Sequence, residues 1–125
     1  MARADHRRMR ILAVEDDADI RDFYRSFLRE EGHEALLAAD GREALELARQ
    51  HPDAIVLDLG LPEMDGYQVL EHLRSDPNTR DIPVIIVTAY PLAKGIDLAG
   101  VSGVLRKPYD VPLLALTLAR AVAAR

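Results

Sequence analysis

The stretch Ala54-Ile55-Val56-Leu57-Asp58 decides how this chain is read. Its apolar part is continuous rather than alternating, the pattern of a strand covered on both faces, as in a parallel sheet. Further runs of the same kind lie on either side: Ile11-Leu12-Ala13-Val14 and Ala35-Leu36-Leu37-Ala38 before it, Val84-Ile85-Ile86-Val87 and Val104-Leu105 after it. The segments between them have a helical period instead. Ile20, Phe23, Tyr24, Phe27 and Leu28 fall on one stripe of an amphipathic helix. Asp40-Gly41-Arg42-Glu43 and Asp65-Gly66-Tyr67-Gln68 each set a short N-cap acceptor ahead of Glu or Gln, as a capping box requires. Ala44, Leu45 and Ala48 follow the first, and Val69, Leu70 and Leu73 the second. A last helix from about Val111 to Ala124 carries Leu114, Leu118, Ala121 and Val122 on its main stripe, with Leu113 and Leu116 off it. Strands alternating with helices give right-handed crossovers. The fold class is therefore α/β, a (βα)5 doubly wound three-layer sandwich around a parallel sheet.

The chain has 125 residues, which at roughly 150 residues per domain makes one domain. A hydrophobic fraction of 49% and a charged fraction of 30% are those of an ordinary globular protein. At this size folding hides roughly two-thirds of the unfolded chain's surface, enough to build one core without staples. The absence of cysteine excludes a disulfide scaffold, a thiol nucleophile, zinc-cysteine sites and iron–sulfur clusters. A net charge of −5 sets the surface against nucleic acid and anionic lipid. Arg3, Arg7, Arg8 and Arg10 gather at the start and read as a solvated basic tail over residues 1–9, followed by the domain proper over 10–125. Nothing approaches the roughly 18 apolar residues of a membrane span, so the expected location is cytoplasmic, with neither membrane nor nucleic acid as a direct partner. His6, His33, His51 and His72 match no metal-ligand spacing and receive no catalytic role.

In open parallel sheets ligands bind beyond the carboxyl ends of the strands, where the strand order reverses. Strand one ends in Glu15-Asp16-Asp17, strand three in Asp58, strand four in Thr88 and strand five in Lys107. A lone acid after a strand is ordinarily a helix N-cap, and Asp17 reads as one. Carboxylates, a hydroxyl and an amine at four strand ends are harder to explain as caps. If Glu15, Asp16 and Asp58 converge to about 4 Å, each like-charge pair costs roughly 4 kcal/mol at an effective dielectric near 20. That is a large part of the stability of a small domain, about 5–15 kcal/mol. Lys107 supplies one positive charge, and the excess calls for a divalent cation. An all-oxygen donor set favours a hard ion, with Mg²⁺ the natural one where phosphate is handled. A metal, a lysine and a hydroxyl around a further carboxylate form a constellation for phosphoryl transfer, the carboxylate being the nucleophile and an acyl phosphate the product.

With these residues the chain resembles the receiver domain of two-component response regulators, of the stand-alone chemotaxis-regulator kind, from about Arg10 to Arg125. The motifs that carry the resemblance are Ile11-Leu12-Ala13-Val14-Glu15-Asp16-Asp17, then Ile55-Val56-Leu57-Asp58-Leu59-Gly60-Leu61-Pro62-Glu63-Met64-Asp65-Gly66, then Val87-Thr88-Ala89, and Lys107-Pro108-Tyr109. The resemblance implies a flavodoxin-like sheet of order 2-1-3-4-5. It implies that Asp58 accepts a phosphoryl group from a histidine kinase or phosphotransfer protein, with the chain catalysing only its own phosphorylation and dephosphorylation. By the same resemblance Asp16 and Asp58 ligate Mg²⁺, Glu15 holds a metal-bound water, and Gly60 offers its backbone carbonyl. Thr88 hydrogen-bonds one phosphoryl oxygen, Lys107 pairs with another, Ala89 keeps the entrance small, and Lys107-Pro108 is a cis peptide.

The chain also departs from the family. Val104 stands where receivers usually carry Tyr or Phe, three residues before the lysine, so the coupled threonine and aromatic switch lacks its aromatic half. The stretch from Thr88 to Lys107 is about one helical turn shorter than is common. Its helix, near Leu92 to Leu98, contains Gly95, which costs about 1 kcal/mol relative to Ala in a helix interior; this fourth helix is expected to be short and mobile. Tyr90 is a candidate screen over the phosphorylation site. The fourth helix, fifth strand and fifth helix, with Leu113 and Leu116, form a candidate face for a downstream target or a homodimer.

Two other classes fit less well. A haloacid-dehalogenase-type hydrolase needs an acid two residues after its nucleophile, where this chain has Gly60. A flavodoxin-like cofactor binder needs a Gly/Ser/Thr-rich loop after strand one, where this chain has three acids. The remaining alternative is a receiver-fold binding module that acts without phosphorylation. The chain is either a stand-alone regulator that works by docking or a receiver cut from a longer protein.

Overall fold

The structure, a computed structural model, describes residues 8–61, 64–89, 91–92, 97–98 and 100–124. Its strands are β1 (Arg10–Val14), β2 (Glu34–Ala38), β3 (Ala54–Asp58), β4 (Val84–Thr88) and β5 (Val101–Arg106). They form one parallel sheet of order β2-β1-β3-β4-β5. The helices among the described residues are α1 (Ala18–Glu30), α2 (Gly41–Ala48), α3 (Gly66–Ser75) and α4 (Val111–Ala123). The last of these is the fifth helix of the sequence reading. The helix expected near Leu92 to Leu98 centres on residues 93–96, which lie outside the described residues, as does Tyr90.

The central strands are the continuous apolar runs. β3 and β4 are buried at every residue and β1 at all but Arg10. Alternate side chains feed two cores. Leu12, Ile55, Leu57 and Ile86 pack under α2 and α3 with Val69, Leu70 and Leu73. Ile11, Ala13, Val56 and Ile85 pack under α1 and α4 with Tyr24, Leu28, Leu114 and Leu118. Each fully buried Leu or Ile contributes about 1.5–3 kcal/mol relative to exposure, so the layers are held mainly by these contacts. Met9 is buried in the second core, one residue ahead of β1 and within the span assigned to the basic tail.

The edge strands differ. β5 is longer than its apolar pair and alternates in burial, as an edge strand does, and one register shift separates the pairing of Val84 with Val101 from that of Ile85 with Gly103. Beyond the bulge Leu105 joins the α1/α4 core, whereas Val104 is 40% exposed. Gly103 is needed because α4 comes close: a Cβ there would lie 2.7 Å from Thr117 Cγ2.

Asp17 caps α1, accepting from the backbone N–H of Asp19 at 2.8 Å and of Ile20 at 3.3 Å. Asp65 and Gln68 form the full reciprocal capping box at α3, with bonds of 2.9 and 3.1 Å. The box expected at Asp40 is displaced. Asp40 accepts from Glu43 N–H at 2.8 Å, but the Glu43 carboxylate reaches back to Ala39 N–H at 2.7 Å, one residue before the cap. Phe23, placed by its period on the core stripe of α1, is exposed and stacks on Phe27 with ring centroids 5.8 Å apart. Of the α4 stripe, Leu114, Leu118 and Ala121 are buried and Val122 packs at the margin, while Leu113 and Leu116 are each 45% exposed.

Candidate functional site

Parallel pairing carries the ends of β1, β3, β4 and β5 to one edge of the sheet. Glu15 and Asp16 follow β1, Asp58 is the last residue of β3, Thr88 the last of β4, and Lys107 follows β5. β1 and β3 are neighbours, and the connections that leave them run to opposite sides, so a crevice opens between them. Ligand oxygens of Glu15, Asp16 and Asp58 all lie within 4.8 Å of one another there. Asp16 is exposed at the mouth, whereas Glu15 and Asp58 are 2% and 7% exposed.

Asp58, Glu15 and Lys107 are each held in place by an identifiable bond. Lys107 Nζ donates to Asp58 Oδ2 at 3.0 Å and to Glu15 Oε1 at 3.3 Å. The other Asp58 oxygen, Oδ1, accepts from the Gly60 backbone N–H at 2.9 Å. The other Glu15 oxygen, Oε2, accepts from Asp17 N–H at 3.1 Å. Lys107 itself is fixed to β4 by its backbone N–H, which donates to Thr88 O at 2.8 Å. Gly66 lets α3 begin directly against this edge, since a Cβ there would lie 2.7 Å from the Asp58 carbonyl oxygen and 2.4 Å from Leu59 Cα.

Three carboxylates against one ammonium leave an excess of two negative charges when all are ionised. Burial raises the Glu15 carboxyl from an ordinary 4.5 to about 7, with its bond to Asp16 and the charge of Asp58 acting the same way against Asp17 N–H and Lys107. Lys107 is raised: burial works against its charge, and Asp58 and Glu15 outweigh that burial. An all-oxygen, electron-rich cluster with one side open fits a hard divalent cation.

Most of the residues picked from the sequence meet here: Glu15, Asp16, Asp58, Gly60, Thr88 and Lys107. Ala89 is exposed just beyond β4, and Pro108 is exposed after a cis peptide bond with Lys107. Val104 lies on β5, outside the carboxylate cluster. Other contributors were not picked. Arg21 Nη1 donates to the backbone oxygens of Glu15 at 2.9 Å and Asp16 at 2.8 Å, so a side chain of α1 holds the acidic turn. Tyr24 and Tyr109 share a hydroxyl–hydroxyl bond of 2.8 Å. Arg21 stands four residues after the cap Asp17, a spacing that was open to reading; the tyrosine pair joins distant parts of the chain and left no local sign.

The fold and this edge define a flavodoxin-like receiver-type module with an acidic cluster at the carboxyl ends of its strands. The chain belongs to the response regulator receiver domain family, whose model matches residues 11–119. It is 43% identical over 106 residues to the response regulator MprA of Mycobacterium leprae (strain TN), covering 81% of this chain but only 45% of MprA. It is 38% identical over 107 residues to the polar-differentiation response regulator DivK of Brucella anthropi, covering 82% of this chain and 86% of DivK. Among solved structures it is similar to the receiver domain of the sensor histidine kinase PA1611 from Pseudomonas aeruginosa PAO1, with a TM-score of 0.83 and 33% identity over 94% of this chain and 99% of that one. That structure has a magnesium ion coordinated in its active-site cleft. No helix among the described residues is long and apolar enough to cross a membrane.

Proposed function

We propose that this chain is a phosphoacceptor receiver of a two-component phosphorelay, taking a phosphoryl group on Asp58 from a histidine kinase or phosphotransfer protein with Mg²⁺ and changing partner binding as a result. The observation that carries this reading is the Asp58 carboxylate itself. It is buried, one oxygen is held by Gly60 N–H and the other by Lys107, and Glu15 and Asp16 stand beside it.

Asp16, Asp58 and the Gly60 carbonyl would hold Mg²⁺, with Glu15 holding one of its waters. Bound there, the ion supplies positive charge to the phosphoryl oxygens. An Asp58 oxygen forms the bond to phosphorus as the P–N bond of the donor phosphohistidine breaks, leaving an acyl phosphate and a free imidazole. Lys107 neutralises a phosphoryl oxygen and Thr88 donates its hydroxyl to another. Both stabilise charge that develops in transfer. Ala89 leaves the approach open to the donor. The chain thus catalyses only its own phosphorylation and dephosphorylation. The receiver spans 10–125 behind the basic stretch 1–9, whose last residue, Met9, packs into the core, and the module works in the cytoplasm. Exposed Val104, Leu113 and Leu116 on β5 and α4 support a docking or dimer face there.

The test is intact mass after incubation with Mg²⁺ and acetyl phosphate, for the wild type and Asp58→Ala. One added phosphoryl group on the wild type alone is expected. If neither protein gains one, from acetyl phosphate or from a phosphorylated histidine donor, the chain is a receiver-fold binding module that acts without phosphorylation.

A further inference from the structure

The segment from Lys107 to Asp110 joins β5 to α4 and belongs to neither. Its backbone is tied to the sheet at Lys107, whose N–H donates to Thr88 O at 2.8 Å. At its other end Asp110 stands at the N-cap of α4 but makes no side-chain cap bond. Between these ends sits Tyr109, half-buried, whose hydroxyl meets that of Tyr24 at 2.8 Å across 85 residues of chain. Tyr24 is 2% exposed, lies in the middle of α1, and packs in the core with Leu28 and Leu114. It is a rigid post, and the Tyr109 ring is tethered to it.

Two residues before Tyr109 is the lysine whose ammonium spans Asp58 and Glu15. A side chain as long as lysine holds such a position only if its backbone does, since the geometry of a transfer site is lost within about 1 Å. The phenol pair is the support on the α4 side of Lys107, as the Thr88 bond is on the β5 side. We infer that Tyr24, acting through the Tyr109 hydroxyl, is a positioning residue that holds Lys107 over the Asp58 carboxylate. This deepens the phosphoacceptor reading and rests on it for the transfer step, but the placement of the ammonium stands apart from whether transfer occurs.

The experiment therefore has two readouts on the full chain. The first is the acylation rate of Lys107 by an activated ester, measured by peptide mass relative to Lys94, the other lysine of the sequence. The second is the rate of Asp58 phosphorylation by acetyl phosphate at saturating Mg²⁺, under conditions where each variant is fully folded. Tyr24→Phe and Tyr109→Phe are each expected to speed Lys107 acylation several-fold. Each is expected to slow phosphorylation roughly five-fold, which is about 1 kcal/mol at 1.36 kcal/mol per factor of ten and the size of one hydrogen bond. The double variant is expected to match the slower single variant, because the two hydroxyls act as one unit. On a Lys107→Ala background Tyr24→Phe is expected to change the phosphorylation rate no further. A lowered melting temperature with unchanged Lys107 acylation would overturn the inference, as would a slowing that persists on the Lys107→Ala background. If the wild type is not phosphorylated at all, the phosphoacceptor reading fails while the acylation rates still decide the positioning role.

Discussion

The two edges of the sheet handle charge in opposite ways. At the amino edge each charged group meets a partner that answers it. Arg10 donates to the carbonyl and side-chain oxygens of Gln50, both at 3.0 Å, and lies 3.7 Å from Glu34. Asp53 accepts from Arg10 N–H at 2.8 Å, and His33 Nδ1 accepts from Met9 N–H at 3.2 Å. At the carboxyl edge two buried carboxylates, Glu15 and Asp58, share one ammonium, and a third, Asp16, stands beside them. The first arrangement ties strand ends together. The second sets like charges against one another on an otherwise apolar sheet. Perturbed, partly uncompensated groups in a cleft are what a reactive site needs.

The largest effect is expected where the imbalance is held by a single group. Lys107→Ala is expected to slow phosphorylation of Asp58 by acetyl phosphate about 100-fold, the loss found when one donor to a developing oxyanion is removed. Its Mg²⁺ affinity should rise, because the ammonium no longer competes for the same carboxylates. A rate within a few-fold of the wild type would remove the ammonium from the transfer step.

Next comes the cation. At about 100 times its dissociation constant Mg²⁺ is expected to stabilise the fold by about 2.7 kcal/mol, seen as a rise of several degrees in melting temperature that EDTA reverses. Asp16→Asn should abolish most of that rise. Glu15→Gln sharpens the same point without metal. Glu15 is raised by burial from 4.5 to about 7 in the folded chain, so the stability linked to its protonated form is fully present below about 4.5 and is lost as pH rises through 7. In EDTA the glutamine variant should therefore gain on the wild type between pH 5 and 8, by on the order of 1–3 kcal/mol at the top of that range. Parallel melting curves across this pH range would mean that Glu15 carries no such burden.

The carboxyl edge was legible in the sequence because β1, β3 and β4 are buried on both faces, so each apolar run stops where the sheet meets the crevice: Val14 before Glu15, Leu57 before Asp58, Val87 before Thr88. β5 was only half legible. It is an edge strand with a bulge, and Val104-Leu105 marks its end but not its start at Val101. Phe23 shows that helical period gives the direction of a stripe but not its width. Tyr24 was read as core, which it is, but no local pattern could tell that its hydroxyl meets Tyr109. The amino edge was not legible at all, because Arg10, Gln50 and Asp53 are ordinary surface residues until the sheet sets β1 beside the turn before β3.

The smallest effect is expected at that amino edge, and it tests whether the edges are independent. Asp53→Ala removes the acceptor of Arg10 N–H and should cost about 1 kcal/mol, a fall of a few degrees in melting temperature. Phosphorylation rate and Mg²⁺ affinity should stay at wild-type values. Glu15 follows Arg10 by five steps along the chain, roughly 16 Å at about 3.3 Å per residue. At that distance the direct Coulomb effect of Asp53 on the carboxylates is small next to that of Lys107 at 3.0 and 3.3 Å. The rigid core between the edges is then the remaining route, and a rate changed more than two-fold would mean that strain at one end of β1 travels through it to Glu15. An unchanged rate leaves the amino edge as a clamp that acts on stability alone.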